Sequence, residues 1–382
     1  MKTLIVSGHP HIPQRAGGVE SSTHDLALEL CKRGHDVSVL CGLTTGGGLA
    51  SLLIRVLRKL SIRPFPADRW LGYPVYRQWR VLPNISRMVR EFAPDVAIVQ
   101  IGMGEVVDIA REISACGVPV LFYLRNVEIE ELGGDPRTLT DVHFIANSQF
   151  TARRYNELFG ICATVIPPLV HAERYTSKRR PSNVTFINPY LEKGREIALE
   201  IAKQCPEIPF SFIESWSLSP KDLEELGARI DTMPNVSLRR RTGDMRGVYS
   251  RAKIVLVPSM WEEAWGRVAT EAQFSGIPVV ASNLGGLPEA VGPGGVLLDP
   301  TGPIGPWIET VRRLWSDDAF YREKSAAALA YSRRPEIDPG TQIDALLAAA
   351  STVMTRSGAA ANPAGRPCVV RPTLELGGVE KS

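Results

Sequence analysis

Residues 258–272 read PSMWEEAWGRVATEA, and the rest of the chain is best interpreted outward from this stretch. It follows the apolar run Ile254–Val257, which predicts a buried strand, and it opens a helix that runs to about Phe274. Gly276 suits the position after a helix end, and Pro278 prevents continuation. A helix that begins directly after a parallel strand presents unpaired N–H groups and a positive dipole end, so this junction suits a diphosphate.

Two glutamates frame the stretch. Glu263 lies just ahead of the predicted helix, and Glu271 lies on it eight positions later. At ~1.5 Å per residue these positions span about 12 Å, roughly the distance from a hexose to a nucleotide ribose. Carboxylates accept hydrogen bonds from sugar hydroxyls, and Gly266 lets a ligand approach the backbone because it lacks a Cβ. Taken singly, either glutamate would also fit an ordinary helix surface.

Short apolar runs alternate with helix-period segments on both sides of this stretch. The first series of predicted strands is Leu4–Ser7, Asp36–Leu40, Val96–Ile101, Val118–Tyr123, Phe144–Ala146 and Thr164–Ile166. The sequence Ile-Pro-Pro-Leu at 166–169 interrupts the alternation. The second series is Val184–Ile187, Phe210–Ile213, Val236–Leu238, Ile254–Val257, Val279–Ala281 and Val296–Leu298. This alternation predicts an α/β protein whose parallel sheets are covered on both faces.

We therefore predict two Rossmann-like, doubly wound domains that face a cleft, with the ligand at the carboxyl ends of their strands. Residues 1–170 form the predicted acceptor-binding domain and residues 171–354 the predicted donor-binding domain. The last helix-like segment, Thr341–Met354, could instead pack back on the N-terminal domain. From Thr355 onward small and polar residues dominate, which predicts that residues 355–382 form a disordered tail.

The combined motifs resemble a known family. The two glutamates, the step Trp265-Gly266, and the segments GIPVVAS (276–282) and GGLPE (285–289) are similar to those of family 4 retaining glycosyltransferases of the GT-B fold. The resemblance implies that Glu263 contacts hydroxyls of the donor sugar and that Glu271 binds the ribose of the nucleotide. It also places Trp265 and Gly266 among the donor-binding residues.

Further motifs carry the resemblance along the chain. Gly17 and Gly18 belong to a G-G-x-E turn ahead of the first helix, and in relatives this turn faces the donor phosphates. Lys193 matches a lysine that neutralises the leaving diphosphate, whereas Asn188 stands where the family usually has an arginine. Arg267 could supply the replacement charge or could be an ordinary surface residue.

One departure concerns the end of the strand at 118–124. Arg125-Asn126 stands where many relatives carry a His-Asp pair that contacts the transferred sugar. Because a guanidinium cannot act as a general base, Arg125 is predicted to bind donor oxygens or an acceptor anion. With Glu263 and Lys193 it completes the predicted catalytic set. Trp216, at the end of another strand, would stack on a base or be an ordinary buried aromatic residue.

The resemblance implies transfer of a hexose-type sugar from a nucleotide diphosphate sugar to an acceptor hydroxyl with retention of configuration. Products would belong to glycan, glycolipid or glycosylated-metabolite biosynthesis. The helix N-terminus and Lys193 are expected to replace a metal, and no metal site or cofactor is predicted. Two alternatives stay open: a sugar-nucleotide epimerase of the same fold, and a non-catalytic sugar-nucleotide-binding protein. The second is favoured by the departures at Asn188 and Arg125.

Composition excludes several classes of protein. The chain is 44% hydrophobic and 22% charged with a net charge of +3, which gives no reason to expect nucleic-acid binding. Its six cysteines and six histidines show no metal-ligand spacing. The N-terminal apolar run is too short for a secretory signal, and no run approaches the ~20 residues that cross a bilayer. We therefore expect a cytoplasmic protein.

The segment Leu49–Ile62 adds one qualification, because it is apolar with interleaved basic residues. A basic amphipathic helix can lie on an anionic membrane surface, which would make the protein peripheral at the inner membrane. The favoured alternative is a helix that packs its apolar stripe on the N-terminal sheet and turns its basic face to water.

Overall fold

The computed structural model describes residues 1–46, 48–63, 65–216 and 218–358. The chain divides into two compact units. Unit 1 comprises Met1–Leu169 and the chain from Asp338, and unit 2 comprises Val170–Ile337. The division at Leu169 falls one residue before the position expected from the sequence.

Unit 1 is an eight-stranded sheet with helices between its strands. Its strands are β1 (Lys2–Pro10), β2 (Asp36–Gly42), β3 (Ala67–Asp68), β4 (Val75–Gln78), β5 (Val96–Val99), β6 (Val120–Leu124), β7 (Val142–Ala146) and β8 (Ala163–Val165). Its helices up to β8 are α1 (Gly18–Lys32), α2 (Gly48–Leu60), α3 (Ile85–Phe92), α4 (Val106–Ala115) and α5 (Gln149–Phe159). The strand order is β3-β4-β2-β1-β5-β6-β7-β8, and only the β3–β4 pair is antiparallel.

Alternating side chains of β1 explain why this sheet is covered on both faces. Leu4 and Val6 belong to one hydrophobic cluster, and Ile5 between them belongs to another. Successive residues of a strand point to opposite faces, so a continuous apolar run predicts burial on both sides. The expected buried strands of the N-terminal half are confirmed by this arrangement.

Sequence patterning missed β3 and β4, since β4 ends in two polar residues. Arg77 and Gln78 are nevertheless buried. Arg77 Nε donates to Asp68 Oδ2 at 2.7 Å, and its Nη atoms donate to the carbonyl oxygens of His11 and Ile12. These bonds compensate for burial of the guanidinium, which hydropathy alone does not anticipate.

Unit 2 is a six-stranded parallel sheet. Its strands are β9 (Asn183–Ile187), β10 (Phe210–Ile213), β11 (Val236–Arg239), β12 (Ala252–Val257), β13 (Val279–Ser282) and β14 (Gly295–Leu298). Its helices are α6 (Arg195–Gln204), α7 (Pro220–Ile230), α8 (Met245–Arg251), α9 (Arg267–Gln273), α10 (Leu287–Val291), α11 (Gly305–Ser316) and α12 (Asp318–Tyr331). All six strands match expected ones, and the prediction of doubly wound Rossmann-like units is confirmed.

Strand order in unit 2 defines where a ligand would bind. The order is β11-β10-β9-β12-β13-β14, so the chain winds outward in opposite directions from the β9–β12 pair. Loops that leave the carboxyl ends of two such strands diverge and open a crevice between them. The crevice of unit 2 therefore lies at the segments that follow Ile187 and Val257.

The last helix, α13 (Pro339–Gly358), belongs to unit 1. Ile343, Leu346, Ala350 and Val353 join the cluster that contains Ile5. The donor-binding domain therefore ends before this helix and not at residue 354, and the stated alternative, in which the last helix packs back on the N-terminal domain, is the arrangement that the structure has. The helix also continues through residues 355–358, where a disordered tail is expected; residues 359–382 lie outside the described residues.

Shorter 3-10 helices occur at Leu82–Asn84, Ile129–Leu132, Pro136–Thr138, Ala172–Arg174, Gly292–Gly294 and Pro335–Ile337. Within the described parts of the chain, no helix combines the length and the apolar character needed to cross a bilayer.

Candidate functional site

The loops after β9 and β12 bring two of the predicted residues together. Lys193 follows β9, and Glu263 follows β12, the neighbouring strand in the sheet. Lys193 Nζ lies 2.7 Å from Glu263 Oε1, an ion pair that joins the two loops across the crevice. Both side chains are largely buried, with 13% and 18% of their surface exposed, so solvent screens the pair less than an open surface pair.

Ser259 fixes the same carboxylate from its own loop. Its Oγ donates a hydrogen bond to Glu263 Oε1 at 2.7 Å. Among the described residues, every contact to this carboxylate goes to Oε1. A carboxylate oxygen accepts about two hydrogen bonds, so Oε2 of Glu263 retains its capacity for a ligand hydroxyl.

Two tryptophans surround the Lys193 ammonium group. Its Nζ lies 4.5 Å from the ring centre of Trp261 and 5.3 Å from that of Trp216. Tyr190 meets Trp216 edge to face at 5.5 Å. The negative faces of the rings attract the cation and restrict its position. No sequence pattern predicts this contact of Trp216 with Lys193, and none indicates a role for Trp261 or Ser259, although both of these residues lie inside the motif.

The glycines of the GGLPE segment contact the backbone of Glu263. Gly286 N–H donates to the carbonyl oxygen of Glu263 at 2.6 Å. A Cβ on Gly285 would lie 2.6 Å from the same oxygen, and Gly285 has a φ of +61°. Only glycine permits this backbone conformation and this close approach without strain. The GGLPE segment thus fixes the backbone position of Glu263.

Glu271 has a different and more closed environment. Arg267 Nε donates to its Oε1 at 2.9 Å, and Tyr249 Oη donates to its Oε2 at 2.8 Å. Arg267 Nη2 also donates to Tyr175 Oη at 2.8 Å. Burial, followed by the negative charge of Glu271, raises the pKa of Tyr175 to about 12, and the same two causes raise the pKa of Tyr249 well above its usual value. Both phenols therefore stay protonated at neutral pH.

This environment decides between the two interpretations of Arg267. Its side chain is 9% exposed, and its charge lies against the carboxylate of Glu271. Arg267 is therefore not an ordinary solvated surface residue. The structure places it as the partner of Glu271, while its use as the replacement charge for the donor diphosphate stays a prediction.

Helix α9 is shorter than expected, with seven residues from Arg267. The estimate of about 12 Å for the separation of the glutamates is therefore not valid, because it applied the ~1.5 Å helical rise to residues that are not helical. Gly266 at the helix start has a φ of +110°, and a Cβ there would lie 2.6 Å from Leu287 Cδ2. The missing Cβ makes room for Leu287, so the expected opening towards a ligand is wrong.

Trp265 and Asn188 have structural partners inside unit 2. The Trp265 indole is buried in a hydrophobic cluster, and its Nε1 donates to Thr270 Oγ1 at 3.0 Å. Asn188 has a φ of +68°, and its Oδ1 accepts from the backbone N–H of Trp216 at 3.1 Å. Asn188 thus holds the loop that carries Trp216, while a donor contact by either residue stays a prediction.

Unit 1 holds the remaining predicted residues. Gly17 precedes α1, which begins at Gly18, and the Gly17 N–H donates to Glu20 Oε2 at 2.9 Å. Glu20 is buried, and burial raises the pKa of its carboxyl. One N–H of the turn at Gly17 and Gly18 is therefore bonded within the helix start, while a contact of this turn with donor phosphates stays a prediction.

Arg125 follows β6 and reaches the same helix. Its guanidinium donates to Ser22 Oγ and stacks on the Tyr123 ring at 4.1 Å. The side chain is buried, and its charge lowers the pKa of Glu20 against the larger effect of burial. Arg125 thus forms a compact group with the first turns of α1, and its predicted role in binding stays untested.

Comparison with known proteins agrees with this arrangement. The family model described as "Glycosyltransferase Family 4" matches residues 16–174, and the model described as "Glycosyl transferases group 1" matches residues 200–317. The chain belongs to the family 4 glycosyltransferases. One match covers most of unit 1 up to its boundary, and the other includes the whole stretch from Ser259 to Glu271.

Curated relatives match this chain over short stretches. The D-inositol 3-phosphate glycosyltransferase of Corynebacterium diphtheriae is 43% identical over 91 residues, which are 23% of this chain and 21% of the relative. That of Xylanimonas cellulosilytica is 35% identical over 156 residues, 38% of this chain and 36% of the relative. The chain thus spans about a fifth to a third of the length of the curated relatives it matches.

Solved structures of the GT-B fold match nearly the whole chain. Anabaena Alr3699/HepE in complex with UDP and glucose is 19% identical, with a TM-score of 0.72 over 92% of this chain and 100% of that one. Sucrose-phosphate synthase from Thermosynechococcus elongatus is 14% identical, with a TM-score of 0.70 over 94% and 100%. At these identities the likeness shows the fold alone.

Within the described residues of this chain, no three or more histidine, cysteine, aspartate or glutamate side chains are grouped as metal ligands. At the candidate site in unit 2, the structure brings together the ion pairs Lys193–Glu263 and Arg267–Glu271. The tyrosines that complete the second pair carry no local sequence motif, since Tyr249 lies 22 positions from Glu271.

Proposed function

We propose that this protein transfers a hexose-type sugar from a nucleotide diphosphate sugar to an acceptor hydroxyl, with retention of configuration and without a metal ion. The observation that carries the proposal is the Lys193–Glu263 pair at the β9–β12 crevice. One loop contributes a cation suited to a diphosphate, and the next contributes a carboxylate suited to sugar hydroxyls. In a nucleotide diphosphate sugar, the diphosphate and the sugar hydroxyls both lie close to the glycosidic bond that breaks.

Lys193 would stabilise the leaving diphosphate. An ammonium group has three N–H donors, and here one of them is directed at Glu263. The remaining donors can reach phosphate oxygens while Trp216 and Trp261 hold the cation in place. A positive charge fixed before the reaction stabilises the negative charge that develops on the departing phosphate, as a metal ion does in other transferases.

Glu263 would hold the transferred sugar. Ser259 and Lys193 orient its carboxylate through Oε1, which leaves Oε2 to accept hydrogen bonds from sugar hydroxyls. Correct orientation of the sugar relative to the acceptor lowers the barrier because less motion must be frozen in the transition state. Retention of configuration would follow because the acceptor hydroxyl attacks the same face of the sugar from which the diphosphate departs. A phosphate oxygen would help to remove the acceptor proton.

Glu271 would bind the ribose, and Arg125 would bind donor oxygens or an acceptor anion. Each oxygen of the Glu271 carboxylate accepts one bond inside unit 2, so each retains a further lone pair for a ribose hydroxyl. The buried guanidinium of Arg125 offers a fixed set of N–H donors that matches an anionic group.

Relatives suggest which compounds to test first. A solved structural neighbour is in complex with UDP and glucose, and the matching curated relatives are named D-inositol 3-phosphate glycosyltransferase. The full chain would be incubated with UDP-, GDP- and ADP-sugars, with and without D-inositol 3-phosphate and other hydroxyl acceptors. Nucleotide release and product mass would be measured, and NMR would give the anomeric configuration of the product.

We expect nucleotide release that requires an acceptor, yields a retained glycoside and persists in excess EDTA. Loss of activity in EDTA would contradict a metal-independent reaction. Binding of a nucleotide sugar without release, across the whole acceptor panel, would favour the non-catalytic alternative. Formation of an isomerised sugar nucleotide without transfer would favour an epimerase.

A further inference from the structure

Helix α2 of unit 1 exposes its apolar side. Six large apolar side chains on this helix are exposed: Leu49, Leu52, Leu53, Val56, Leu57 and Leu60. Leu49 is 85% exposed and Leu60 is 73% exposed, and Ile62 just beyond the helix is fully exposed. At helical periodicity these six residues form one continuous stripe, here called the apolar face of α2. Exposed apolar patches of this kind mark interaction surfaces.

The opposite side of α2 attaches the helix to unit 1 through polar contacts. Ser51 and Ile54 are buried there. Ser51 Oγ accepts from Gln14 Nε2 at 2.7 Å and donates to the carbonyl oxygen of Thr44, and Arg58 Nη2 donates to Gln78 Oε1 at 2.5 Å. These bonds fix the rotation of the helix. The expectation that its apolar stripe packs on the sheet is therefore wrong.

The charged side chains of the helix segment itself have one sign. Residues 48–63 contain four basic side chains, Arg55, Arg58, Lys59 and Arg63, and no acidic one. Beside the helix, a cavity of about 380 Å³ is lined by Leu57, Arg58, Asp68, Arg69 and Trp70 among others, and the charge of the Asp68 carboxylate is balanced by its ion pair with Arg77. Trp70 is 52% exposed. Apolar side chains flanked by cations and an exposed tryptophan match the layered chemistry of an anionic bilayer surface.

We propose that the apolar face of α2, together with Trp70 and the flanking basic residues, docks this protein on an anionic lipid bilayer. The leucines and Val56 enter the boundary between headgroups and acyl chains, while Lys59 and Arg63 contact lipid phosphates. The cavity beside α2 receives a phosphodiester headgroup between Arg58 and Arg69. Docking by this surface does not depend on the transfer reaction or on the residues of unit 2.

A second copy of the chain fits this surface less well. Pairing of two identical faces would bring eight basic side chains together without an acidic partner from residues 48–63, and like charges at an interface oppose association. The charge therefore selects an anionic surface over self-association. The oligomeric state provides an independent check.

The test is co-sedimentation of the full chain with vesicles of equimolar phosphatidylglycerol and phosphatidylcholine, compared with phosphatidylcholine alone. We expect binding to the anionic vesicles that weakens with salt. Combined replacement of Leu53→Gln, Val56→Gln and Leu60→Gln should reduce the partition coefficient at least about tenfold, because the exposed stripe loses three of its six apolar side chains. The matched control is Leu158→Gln on α5, which is 52% exposed in the same unit and should bind like the wild type.

A second variant separates charge from apolar contact. Lys59→Glu with Arg63→Glu should weaken binding to anionic vesicles and leave the thermal unfolding midpoint unchanged, since both residues are exposed. Absence of binding to anionic vesicles would overturn the proposal, and so would equal binding of the wild type and the triple glutamine variant. Sedimentation velocity that shows a dimer dissociated by the triple variant would identify a second copy as the occupant and would also overturn it.

Discussion

Glu263 and Glu271 lie eight residues apart in unit 2, yet their carboxylates have different surroundings. Glu263 is bonded through one oxygen, to Lys193 and Ser259, and its side chain is 18% exposed. Glu271 is bonded through both oxygens, to Arg267 and Tyr249, and its side chain is 9% exposed. The Glu263 carboxylate therefore has one oxygen bonded to the protein, whereas the Glu271 carboxylate has both oxygens bonded to the protein.

This difference fits the parts of the donor that the two residues would hold. The sugar and the diphosphate change in charge and position during transfer, so groups that contact them must strengthen their interactions in the transition state. The ribose does not change, so a carboxylate that contacts it contributes equally to substrate and transition state. We therefore expect changes at Glu263 to affect turnover and changes at Glu271 to affect donor affinity.

The largest effect is expected from Glu263→Gln. The substitution keeps the size of the side chain but removes the negative charge that orients Lys193 and accepts the sugar hydroxyls. Turnover at saturating donor should fall by about 100- to 1,000-fold, or about 3–4 kcal/mol, as for other fixed electrostatic groups. The control is Glu192→Gln, an exposed glutamate next to Lys193, which should stay within about twofold. Equal kinetics in Glu263→Gln and the control would remove Glu263 from the site.

Lys193→Met should be the next most harmful change. Methionine keeps the apolar contact with Trp216 and Trp261 but provides no charge for the diphosphate. We expect turnover to fall by about 100-fold. Lys193→Arg keeps a cation between the rings and should lose only about tenfold. If both variants lose the same activity, geometry and not charge would be the property that matters at this position.

Gly266→Ala tests the backbone between the two glutamates. A residue with a Cβ is strained at a φ of +110°, and the added carbon would lie 2.6 Å from Leu287. The unfolding free energy should fall by about 2 kcal/mol, and the midpoint of denaturation followed by tryptophan fluorescence should fall with it. Gly227→Ala in α7 is the control, since nothing lies within 4 Å of its added Cβ, and it should stabilise by about 0.5–1 kcal/mol. An unchanged midpoint in Gly266→Ala would show that this backbone is not constrained.

The smallest effect is expected from Glu271→Gln. Glutamine keeps one acceptor oxygen but weakens the contact with Arg267 and the hydrogen bonds to ribose. The KM for the donor should rise about tenfold, or about 1.4 kcal/mol, while turnover changes less than about twofold. Tyr249→Phe removes one hydroxyl that orients the same carboxylate, and steady-state kinetics should show a smaller rise in KM of the same kind. A fall in turnover without a change in KM would reverse the roles of the two glutamates.

Much of the fold could be predicted because its determinants are local. Continuous apolar runs identified every strand of unit 2, and their burial on both faces follows from parallel pairing. Strand β4 was not predicted, because it is not a continuous apolar run. Arg77 looks like a surface residue in the sequence, and only its bonds to Asp68 and to two distant carbonyl oxygens allow its burial.

The candidate site was likewise predicted only in part from the sequence. Glu263, Glu271 and Lys193 were identified from motifs, whereas Trp261 and Ser259 lie inside a motif and gain a role only through contacts with Lys193 or Glu263. Gly266 was selected for an incorrect reason, because its Cβ position faces Leu287, a contact that no spacing in the sequence reveals. The apolar pattern of α2 likewise predicted a helix, but the polar contacts of Ser51 and Arg58 decide which side faces water.

Calorimetric titration of matched ligands tests the central claim most directly. Wild type, Glu263→Gln and Glu271→Gln would each be titrated with UDP, GDP and ADP and with the corresponding nucleotide sugars. We predict that Glu271→Gln weakens binding of the free diphosphate and of the nucleotide sugar by the same factor, about tenfold, whereas Glu263→Gln weakens neither ligand as much, because its contacts strengthen chiefly in the transition state. If Glu263→Gln weakens both ligands as much as Glu271→Gln does, or if Glu271→Gln affects neither ligand, the assignment of sugar and nucleotide to the two glutamates is contradicted.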